Sequence, residues 1–276
     1  MTLMNCSTGS MRSASKLFTA LIILAVSLAT PLTAESSSYG KELYRSFSRR
    51  LGYNRADYPA LSDEQFANFR MVNTSGIGAG KLYRSSSPIS TWGNRNVIAD
   101  NLAKQAGVKT FLNLADNASS VKGQEGFAGS YYSTQNIIAL GLGMKYQSKI
   151  FRDSLANGIK LMSRSEPPYL IHCSLGKDRA GFVVALVECL AGASFHEIVN
   201  DYLVSFYNYF GVRPGTREYD FVAQNEITAF LARAYGVKVE DIAAINLAAA
   251  ARRYFLGIGV TSAEIDALTQ KLSPSL

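Results

Sequence analysis

The chain has 276 residues, of which 47% are hydrophobic and 18% charged, and it carries a formal net charge of +7. A mean hydropathy of +0.04 is ordinary for a globular protein, and the absence of any sequence repeat or long low-complexity tract excludes solenoid and fibrous classes. The basic balance suits an anionic substrate or surface, although net charge alone does not identify one.

The N-terminal segment has the pattern of a secretory signal peptide. Arg12 and Lys16 precede the apolar run Leu17–Thr30, and the small residue Ala34 ends the segment before a polar stretch. The apolar run is shorter than the roughly 20 residues that cross a membrane comfortably. We therefore expect residues 1–34 to be cleaved, with an uncleaved anchor as the alternative.

Cleavage would leave two of the three cysteines, Cys173 and Cys189, because Cys6 lies in the leader. Cys173 falls in a predicted turn and Cys189 about two helical turns further along the chain, so their Cα atoms are too far apart for a disulfide, which requires about 7 Å or less. An exported protein that keeps a free thiol usually uses it.

The first part of the mature chain is predicted to be a lead-in followed by a hairpin. Residues 35–60 are polar and rich in Tyr and Arg, and we expect them to be extended or partly ordered. Ser62 has capping-box spacing and predicts one helical turn. Phe69–Thr74 and Lys81–Ser87 are predicted strands joined by the glycine-rich segment 75–80. This segment lacks the first glycine and the Ser/Thr of a nucleotide-binding phosphate loop, which favours a hairpin turn.

Helices and buried strands then alternate, which is typical of an α/β layered domain with a mainly parallel sheet. A long polar loop, Asn117–Gln135, interrupts the alternation. The predicted elements are a helix within 92–107, a strand over Val108–Asp116, a strand over 136–140, a helix over Ser148–Ser165 and a strand over Pro167–Ile171.

The rest of the chain is predicted to be helical. An apolar helix over Phe182–Gly192 ends at its glycine, and capping boxes begin helices at Ser194 and Thr261. His196 then falls in a first helical turn, and the aromatic segment 201–210 is predicted to be a packed helix face. The expected fold class is α/β, with a mainly parallel central sheet flanked by helices and a helical C-terminal region.

The segment HCSLGKDRAG, residues 172–181, joins the last predicted strand to the apolar helix. At such a turn, free backbone N–H groups and the helix dipole favour negative charge, and a cysteine there is held as the reactive thiolate. The same N–H groups form a concave site for an oxyanion such as phosphate. Arg179 can grip two of its oxygens, while Gly176 and Gly181 permit a tight backbone.

These residues together predict in-line attack of the Cys173 sulfur on phosphorus, followed by hydrolysis of a cysteinyl-phosphate. The simpler interpretation of Cys173 is a small buried core residue, and that interpretation is favoured for Cys189. With two histidines and no cysteine cluster, we expect no metal site, and no cofactor.

The segment HCSLGKDRAG resembles the signature of cysteine-dependent protein-tyrosine phosphatases, and most closely that of exported bacterial tyrosine/phosphoinositide phosphatases. Weaker likenesses at Asn68–Arg70, Leu82–Ser90 and 254–272 extend the resemblance over residues 60–272. It implies a protein-tyrosine-phosphatase-like fold in residues 61–276. The implied substrates are phosphotyrosine proteins and/or phosphoinositides or inositol phosphates, and not nucleic acid.

The resemblance also implies roles for individual residues. Cys173 is the nucleophile and Arg179 the phosphate clamp. No Trp-Pro-Asp tripeptide is present to supply a general acid, so Asp178 takes that role, with Asp116 as the alternative. Lys177 is expected at the rim, where it adds positive charge. The loop residues expected to bind phosphate are Ser174, Leu175, Gly176, Lys177, Ala180 and Gly181, and those expected to support the site are His172, Asp116 and Arg84.

Two questions stay open at this level. Related signatures have Ser or Thr where this chain has Ala180, so release of the intermediate is expected to be slow unless Ser174 compensates. Arg84 is a substrate contact, a supporting residue or part of a structural salt bridge. The alternative functions are a non-catalytic phosphate-binding protein and, less favoured, a sulfurtransferase or arsenate reductase. A peripheral contact with a membrane surface is a further expectation.

Overall fold

The computed structural model describes residues 34–274, and a five-stranded sheet lies at its centre. The sheet order is β1-β2-β5-β3-β4; β1 runs antiparallel to β2, and the other neighbours are parallel. The predicted mainly parallel α/β fold is therefore confirmed. The strands are β1 (Arg70–Met71), β2 (Leu82–Ser85), β3 (Thr110–Asn113), β4 (Asn136–Ala139) and β5 (Tyr169–His172).

The strand register brings the carboxyl ends of the four parallel strands into one row. Ser85 pairs with His172, His172 with Asn113, and Asn113 with Ala139. The loops that follow these residues consequently emerge side by side at one edge, which is where ligand sites of parallel α/β sheets form. The segment that begins at Cys173 is one of these loops.

Helices surround the sheet and make up most of the C-terminal third. The helix α1 belongs to one compact unit, which ends at Arg50, and the described residues from Leu51 onward form the other. The helices are α1 (Ala34–Arg50), α2 (Asp63–Phe66), α3 (Asn96–Gln105), α4 (Lys149–Arg164), α5 (Asp178–Ala191), α6 (Phe195–Phe210), α7 (Arg217–Val222), α8 (Ala229–Tyr235), α9 (Leu247–Gly257) and α10 (Ser262–Leu272). A π-helical segment, Ala223–Thr228, joins α7 to α8.

The two faces of the sheet pack against different helices because successive side chains of a strand point to opposite sides. Phe111 and Leu170, which are register partners, belong to a buried cluster with Ala99 and Ala103 of α3. Leu112 instead approaches Gly158 of α4. The strand β5 is buried along its whole length, so the loop that follows it begins from the most rigid part of the domain.

The predicted helix ends are largely confirmed. Ser62, Ser194 and Thr261 each accept a hydrogen bond in a complete capping box. Gly192 ends α5 in the left-handed conformation, with φ of +98°. The glycine-rich segment 75–80 connects the antiparallel strands β1 and β2, as predicted.

Three predictions need correction or fall outside the described residues. The lead-in is helical over Ala34–Arg50, because Leu43, Tyr44 and Phe47 recur at helical spacing. The helix after the turn that contains Cys173 begins at Asp178 instead of Phe182. The predicted signal peptide lies outside the described residues except for Ala34. No helix within residues 34–274 is long and apolar enough to cross a membrane.

Candidate active site

The candidate site is the loop between β5 and α5. Cys173 follows the last residue of β5 directly and is 3% exposed. Because α5 begins at Asp178, this residue and Arg179 lie in its first turn. The topology thus brings together Cys173, the loop over residues 174–177 and the Asp-Arg pair, as the sequence predicts.

Four successive carbonyl groups of this loop are tied to the surrounding scaffold. Each accepts a hydrogen bond from a group outside the loop, and three of the four donors are side chains. Ser87 N donates to Ser174 O (3.1 Å), Tyr209 Oη and Asn68 Nδ2 to Leu175 O (2.7 and 3.1 Å), and Arg84 Nη2 to Gly176 O (2.9 Å) and Lys177 O (3.3 Å).

These ties fix the direction of the loop N–H groups. In a planar trans peptide the N–H points opposite to the carbonyl of the preceding residue. The N–H groups of Leu175, Gly176, Lys177 and Asp178 therefore point away from the scaffold. The described residues supply no hydrogen-bond partner to the N–H groups over 174–177. A curved row of free N–H groups is the arrangement that binds oxyanions.

Two glycines are required for this geometry. Gly176 has φ of +69°, and a Cβ there would lie 2.2 Å from the carbonyl oxygen of Ser85. At Gly181, a Cβ would lie 2.5 Å from Cε2 of Tyr202 and 2.9 Å from Nη2 of Arg84. The glycines let the loop and α5 pack closely on β2 and α6, which supports their predicted place in the site.

Arg179 is anchored at the carboxyl edge of the sheet. Its Nη1 donates to Leu142 O (2.9 Å) and Leu114 O (3.3 Å), and its Nη2 donates to Ser174 Oγ (3.0 Å). These contacts engage three of the five N–H donors of the guanidinium. The side chain is fixed over the loop with donors remaining for an oxyanion, which is the geometry that the clamp role requires.

Lys177 does not lie at the rim, where we expected it. It is 7% exposed, and its Nζ contacts Asp178 Oδ1 and lies 4.5 Å from the ring centroid of Phe206. Its cationic group is drawn inward because the carboxylate and the aromatic face together replace water. The Lys177 ammonium is therefore a partner of Asp178, and not a free charge for a second phosphate.

The two candidate acids have different surroundings. The side chain of Asp178 is 30% exposed at the start of α5. Asp116 is 8% exposed, and its two carboxylate oxygens accept hydrogen bonds from the amides of Gln124 and Asn113. Asp116 thus belongs to a rigid network behind the edge of the sheet, whereas Asp178 is the more accessible to a ligand at the loop.

Several residues of the site were missed in the sequence. Asn68 and Arg70 were noticed only as part of a weak likeness, and Asp201 and Tyr209 only as part of an aromatic helix face. Tyr146 was not noticed at all. Burial raises the pKa of Tyr146 well above its usual value, the negative charges of Asp178, Glu226 and Cys173 add to this effect, and Arg179 opposes it. Its hydroxyl, which donates to Met144 Sδ (3.6 Å), therefore keeps its proton.

A buried ionic cluster lies behind the loop. Asp201 of α6 binds Arg70 (Nε to Oδ1, 2.8 Å) and Arg84, which is fully buried. Burial tends to raise the pKa of Asp201, but the charges and hydrogen bonds of the two arginines outweigh it and lower that pKa to about 2. Burial and the Asp201 charge raise the pKa of Glu188 well above its usual value. Arg84 is thus a partner in an ion pair and a contact of the loop.

His172 lies directly before the loop, and its ring is buried among aromatic side chains. The ring is fully buried, packs edge-on against Tyr132 and Phe111, and has no hydrogen-bond partner among the described residues. Burial, with a smaller contribution from the Arg179 charge, lowers its pKa to about 3. His172 therefore carries no charge that could stabilise a thiolate at neutral pH.

The depressed pKa of His172 predicts a loss of stability in mild acid. An unfolded histidine binds its proton near pH 6.5, whereas the folded one resists until about pH 3. The contribution of the neutral His172 to the free energy of unfolding is therefore fully present above about pH 6.5. It falls by about 1.4 kcal/mol per pH unit as the pH drops from there towards about 3. Denaturant unfolding should be measured for wild type and for His172→Phe at several pH values. The advantage of the wild type in unfolding free energy should decrease at this slope as the pH is lowered below about 6.5. A pH-independent difference would contradict the prediction.

The remaining predicted residues lie as follows. Ala180 and Leu175 are buried beside Cys173. Cys173 and Cys189 are both free, and burial raises the pKa of the Cys189 thiol to about 12, as suits an inert core residue. His196 lies in the first turn of α6, as predicted. Within residues 34–274, no group of three His, Cys, Asp or Glu side chains is arranged to hold a metal ion.

Comparison with known proteins gives a family and a structural likeness. No curated protein sequence matches the chain significantly. A solved structure, the core catalytic domain of the PP-IP phosphatase SIW14 from S. cerevisiae in complex with citrate, is 21% identical, covers 58% of this chain and 85% of its own, and has a TM-score of 0.37. The family model "Tyrosine phosphatase family" matches residues 67–273, which begin directly after α2, extend past the end of α10 and include the whole Cys173 loop. The chain therefore belongs to the tyrosine phosphatase family.

Proposed function

We propose that this protein hydrolyses phosphomonoesters through a cysteinyl-phosphate intermediate. Cys173 is the nucleophile, Arg179 and the loop N–H groups hold the phosphoryl oxygens, and Asp178 is the general acid. The observation that carries this proposal is the set of four loop carbonyls tied to the scaffold. Donors fixed before the substrate arrives stabilise developing charge without a cost of reorganisation.

The reaction proceeds in two balanced steps. In the first, the Cys173 thiolate forms an S–P bond while the P–O bond to the leaving group breaks, and Asp178 gives its proton to the leaving oxygen. In the second, Asp178 takes a proton from water, the water oxygen forms a P–O bond, and the S–P bond breaks. Inorganic phosphate leaves, and the thiolate and the protonated acid are restored.

Ser174 is the residue that we assign to the second step in place of the hydroxyl missing at Ala180. Its Oγ already accepts a hydrogen bond from Arg179 Nη2, and its own hydroxyl hydrogen remains to be donated. Because Ser174 adjoins Cys173, that hydrogen is available to the sulfur as it leaves. Breakdown of the intermediate is nevertheless expected to be slower than its formation.

Slow breakdown makes the intermediate observable. The full chain should show a burst of p-nitrophenolate equal to the enzyme concentration, and acid quenching should leave a phosphoryl group on the peptide that contains Cys173, detected by mass spectrometry. Cys189 provides an internal control, because its buried thiol should stay unmodified. Turnover with phosphate trapped on another residue, or with none trapped and no burst, would count against the proposal.

The substrates that we propose are phosphotyrosine proteins and/or phosphoinositides or inositol phosphates, acted on after export. The N-terminal pattern over residues 1–34 supports export to the periplasm or the outside of the cell. N-terminal sequencing of the exported protein should find a start near Glu35; a retained leader would contradict export. Because the Lys177 charge is engaged by Asp178, preference for several phosphates needs basic groups outside the loop.

The alternative functions can be distinguished by phosphate binding and turnover and by the cysteines that the chain offers. Phosphate binding without turnover would favour the non-catalytic alternative, which rests on Ala180. Arsenate reduction needs a resolving thiol, and Cys189 is fully buried in α5 with a pKa raised to about 12 by that burial. The described residues therefore offer no resolving thiol, and hydrolysis is the better supported reaction.

A further inference from the structure

One side chain, that of Arg84, contacts the peptide units after both Gly176 and Lys177. The Nη2 of Arg84 donates to both carbonyl oxygens, at 2.9 and 3.3 Å. The other two tied loop carbonyls, those of Ser174 and Leu175, have separate donors. The N–H of Lys177 therefore depends on Arg84 for its direction, and the N–H of Asp178 depends on Arg84 together with Gly181 N, which also donates to Lys177 O (2.9 Å).

Arg84 is itself held in one position. It is the third of the four residues of β2, has no exposed surface, and its Nη1 is bound by Asp201 of α6. Asp201 also binds Arg70, so the carboxylate is fixed from a second side. A planar guanidinium that joins a carboxylate on one side to two carbonyls on the other cannot be replaced by the single-point ammonium of lysine without losing part of the contact.

The charge of the cluster favours an anion at the loop. Arg70 and Arg84 are cationic and Asp201 is anionic, so these three side chains together carry one positive charge in a buried cluster in contact with the loop carbonyls. Burial and the Asp201 charge raise the pKa of the neighbouring Glu188 well above its usual value, which favours its uncharged form. In such a low-dielectric region this charge acts over a longer distance than it would in water.

We propose that Arg84, fixed by Asp201, is a positioning residue that aligns the loop N–H groups with the phosphoryl group in the transition state. This inference rests on the proposed function and adds to it a residue that does not touch substrate. Because the alignment matters most when charge on the oxygens is greatest, its loss lowers kcat more than it weakens ground-state binding.

The test compares two buried arginines that bind backbone carbonyls. Arg84→Lys and Arg84→Met are the test variants, and Arg95→Lys is the matched control. Arg95 is 4% exposed and donates to carbonyls of Phe66, Gly93 and Gly52, none of which belongs to the loop. Its guanidinium also lies 5.0 Å from the ring centroid of Tyr209, a cation–π contact that a lysine can keep. For each full-length protein, kcat and KM on p-nitrophenyl phosphate, the dissociation constants of orthovanadate and phosphate, and Tm are measured.

We expect kcat to fall about 100-fold in Arg84→Met and about tenfold in Arg84→Lys, the range found when oxyanion donors are lost, with KM within about threefold of wild type. Vanadate, which resembles the transition state, should bind more weakly by a similar factor, and phosphate by much less. Arg95→Lys should keep kcat within about threefold of the wild-type value, even if its Tm falls as far as the Tm of the Arg84 variants.

Wild-type kcat and vanadate affinity in Arg84→Lys would overturn the inference, as would an equal loss of kcat in Arg95→Lys at equal Tm. If Arg84→Met does not fold, the comparison of the two lysine variants decides. Failure of the proposed function is separately visible, because the wild type would then show no phosphate on Cys173. Vanadate binding needs no turnover and still tests the role of Arg84.

Discussion

Cys173→Ser should lower turnover of p-nitrophenyl phosphate by at least about 10⁴-fold, the scale of loss seen when an enzyme loses its nucleophile. A serine hydroxyl is far less ionised than a thiol at neutral pH, and the adjacent His172 cannot activate it, since its ring is buried without a hydrogen-bond partner among the described residues. Steady-state kinetics and vanadate or phosphate binding are measured on the same preparation.

The loop should survive this change. The four carbonyl ties and the anchors of Arg179 do not involve the sulfur, so Cys173→Ser should still bind phosphate within about tenfold of wild type. Cys189→Ser is the matched control, with the same substitution at a buried thiol outside the site, and it should keep turnover within about threefold. Turnover retained in Cys173→Ser, or lost equally in both variants, would refute the assignment of the nucleophile.

Asp178→Asn should lower kcat about 100-fold or more on phenyl phosphate, the lower end of the range for loss of a general acid. The loss on p-nitrophenyl phosphate should be much smaller, because nitrophenolate leaves without needing a proton. Asp116→Asn should reduce both rates by less than about tenfold. Both carboxylate oxygens of Asp116 accept hydrogen bonds, from Gln124 and Asn113, so its role is to hold the residues at the carboxyl edge of the sheet in place.

The leaving-group dependence separates an acid from a structural carboxylate. A variant that only loosens the loop slows both substrates alike, whereas loss of proton donation slows the poor leaving group more. If Asp116→Asn showed the selective loss and Asp178→Asn did not, the roles would be reversed. The acidic limb of the pH profile offers no such distinction, because each variant also alters charge near the loop.

The sequence was informative about features that depend on residues close together in the chain. The pattern of an apolar strand, a Cys-Gly-Arg turn and an apolar helix predicted the position of Cys173, Arg179 and both loop glycines, because a turn of this kind constrains neighbouring residues. Alternating elements predicted the mainly parallel sheet, and three capping boxes predicted helix starts that the fold contains.

The sequence was uninformative about contacts between distant segments. The side chains that donate hydrogen bonds to the loop carbonyls are those of Asn68, Arg84 and Tyr209. They are separated in sequence from the residues whose carbonyls they bind by 34 to 107 positions. Such pairs depend on the order of strands and the packing of α6, which local periodicity does not specify. The inward position of Lys177 likewise depends on its contact with the ring of Phe206. The pattern of a helix shows that Phe206 is on an apolar face, but it does not show which residue the ring contacts.

A crystal structure of the full chain with orthovanadate tests the central claim most directly, namely that the loop is built in advance to hold a phosphoryl group over Cys173. We expect vanadium bonded to the Cys173 sulfur, its equatorial oxygens within hydrogen-bond distance of the loop N–H groups and the Arg179 guanidinium, and the Arg84 contacts to Gly176 and Lys177 unchanged. A loop without bound vanadate at saturating concentration, or an Arg179 guanidinium turned away from the oxyanion, would contradict it.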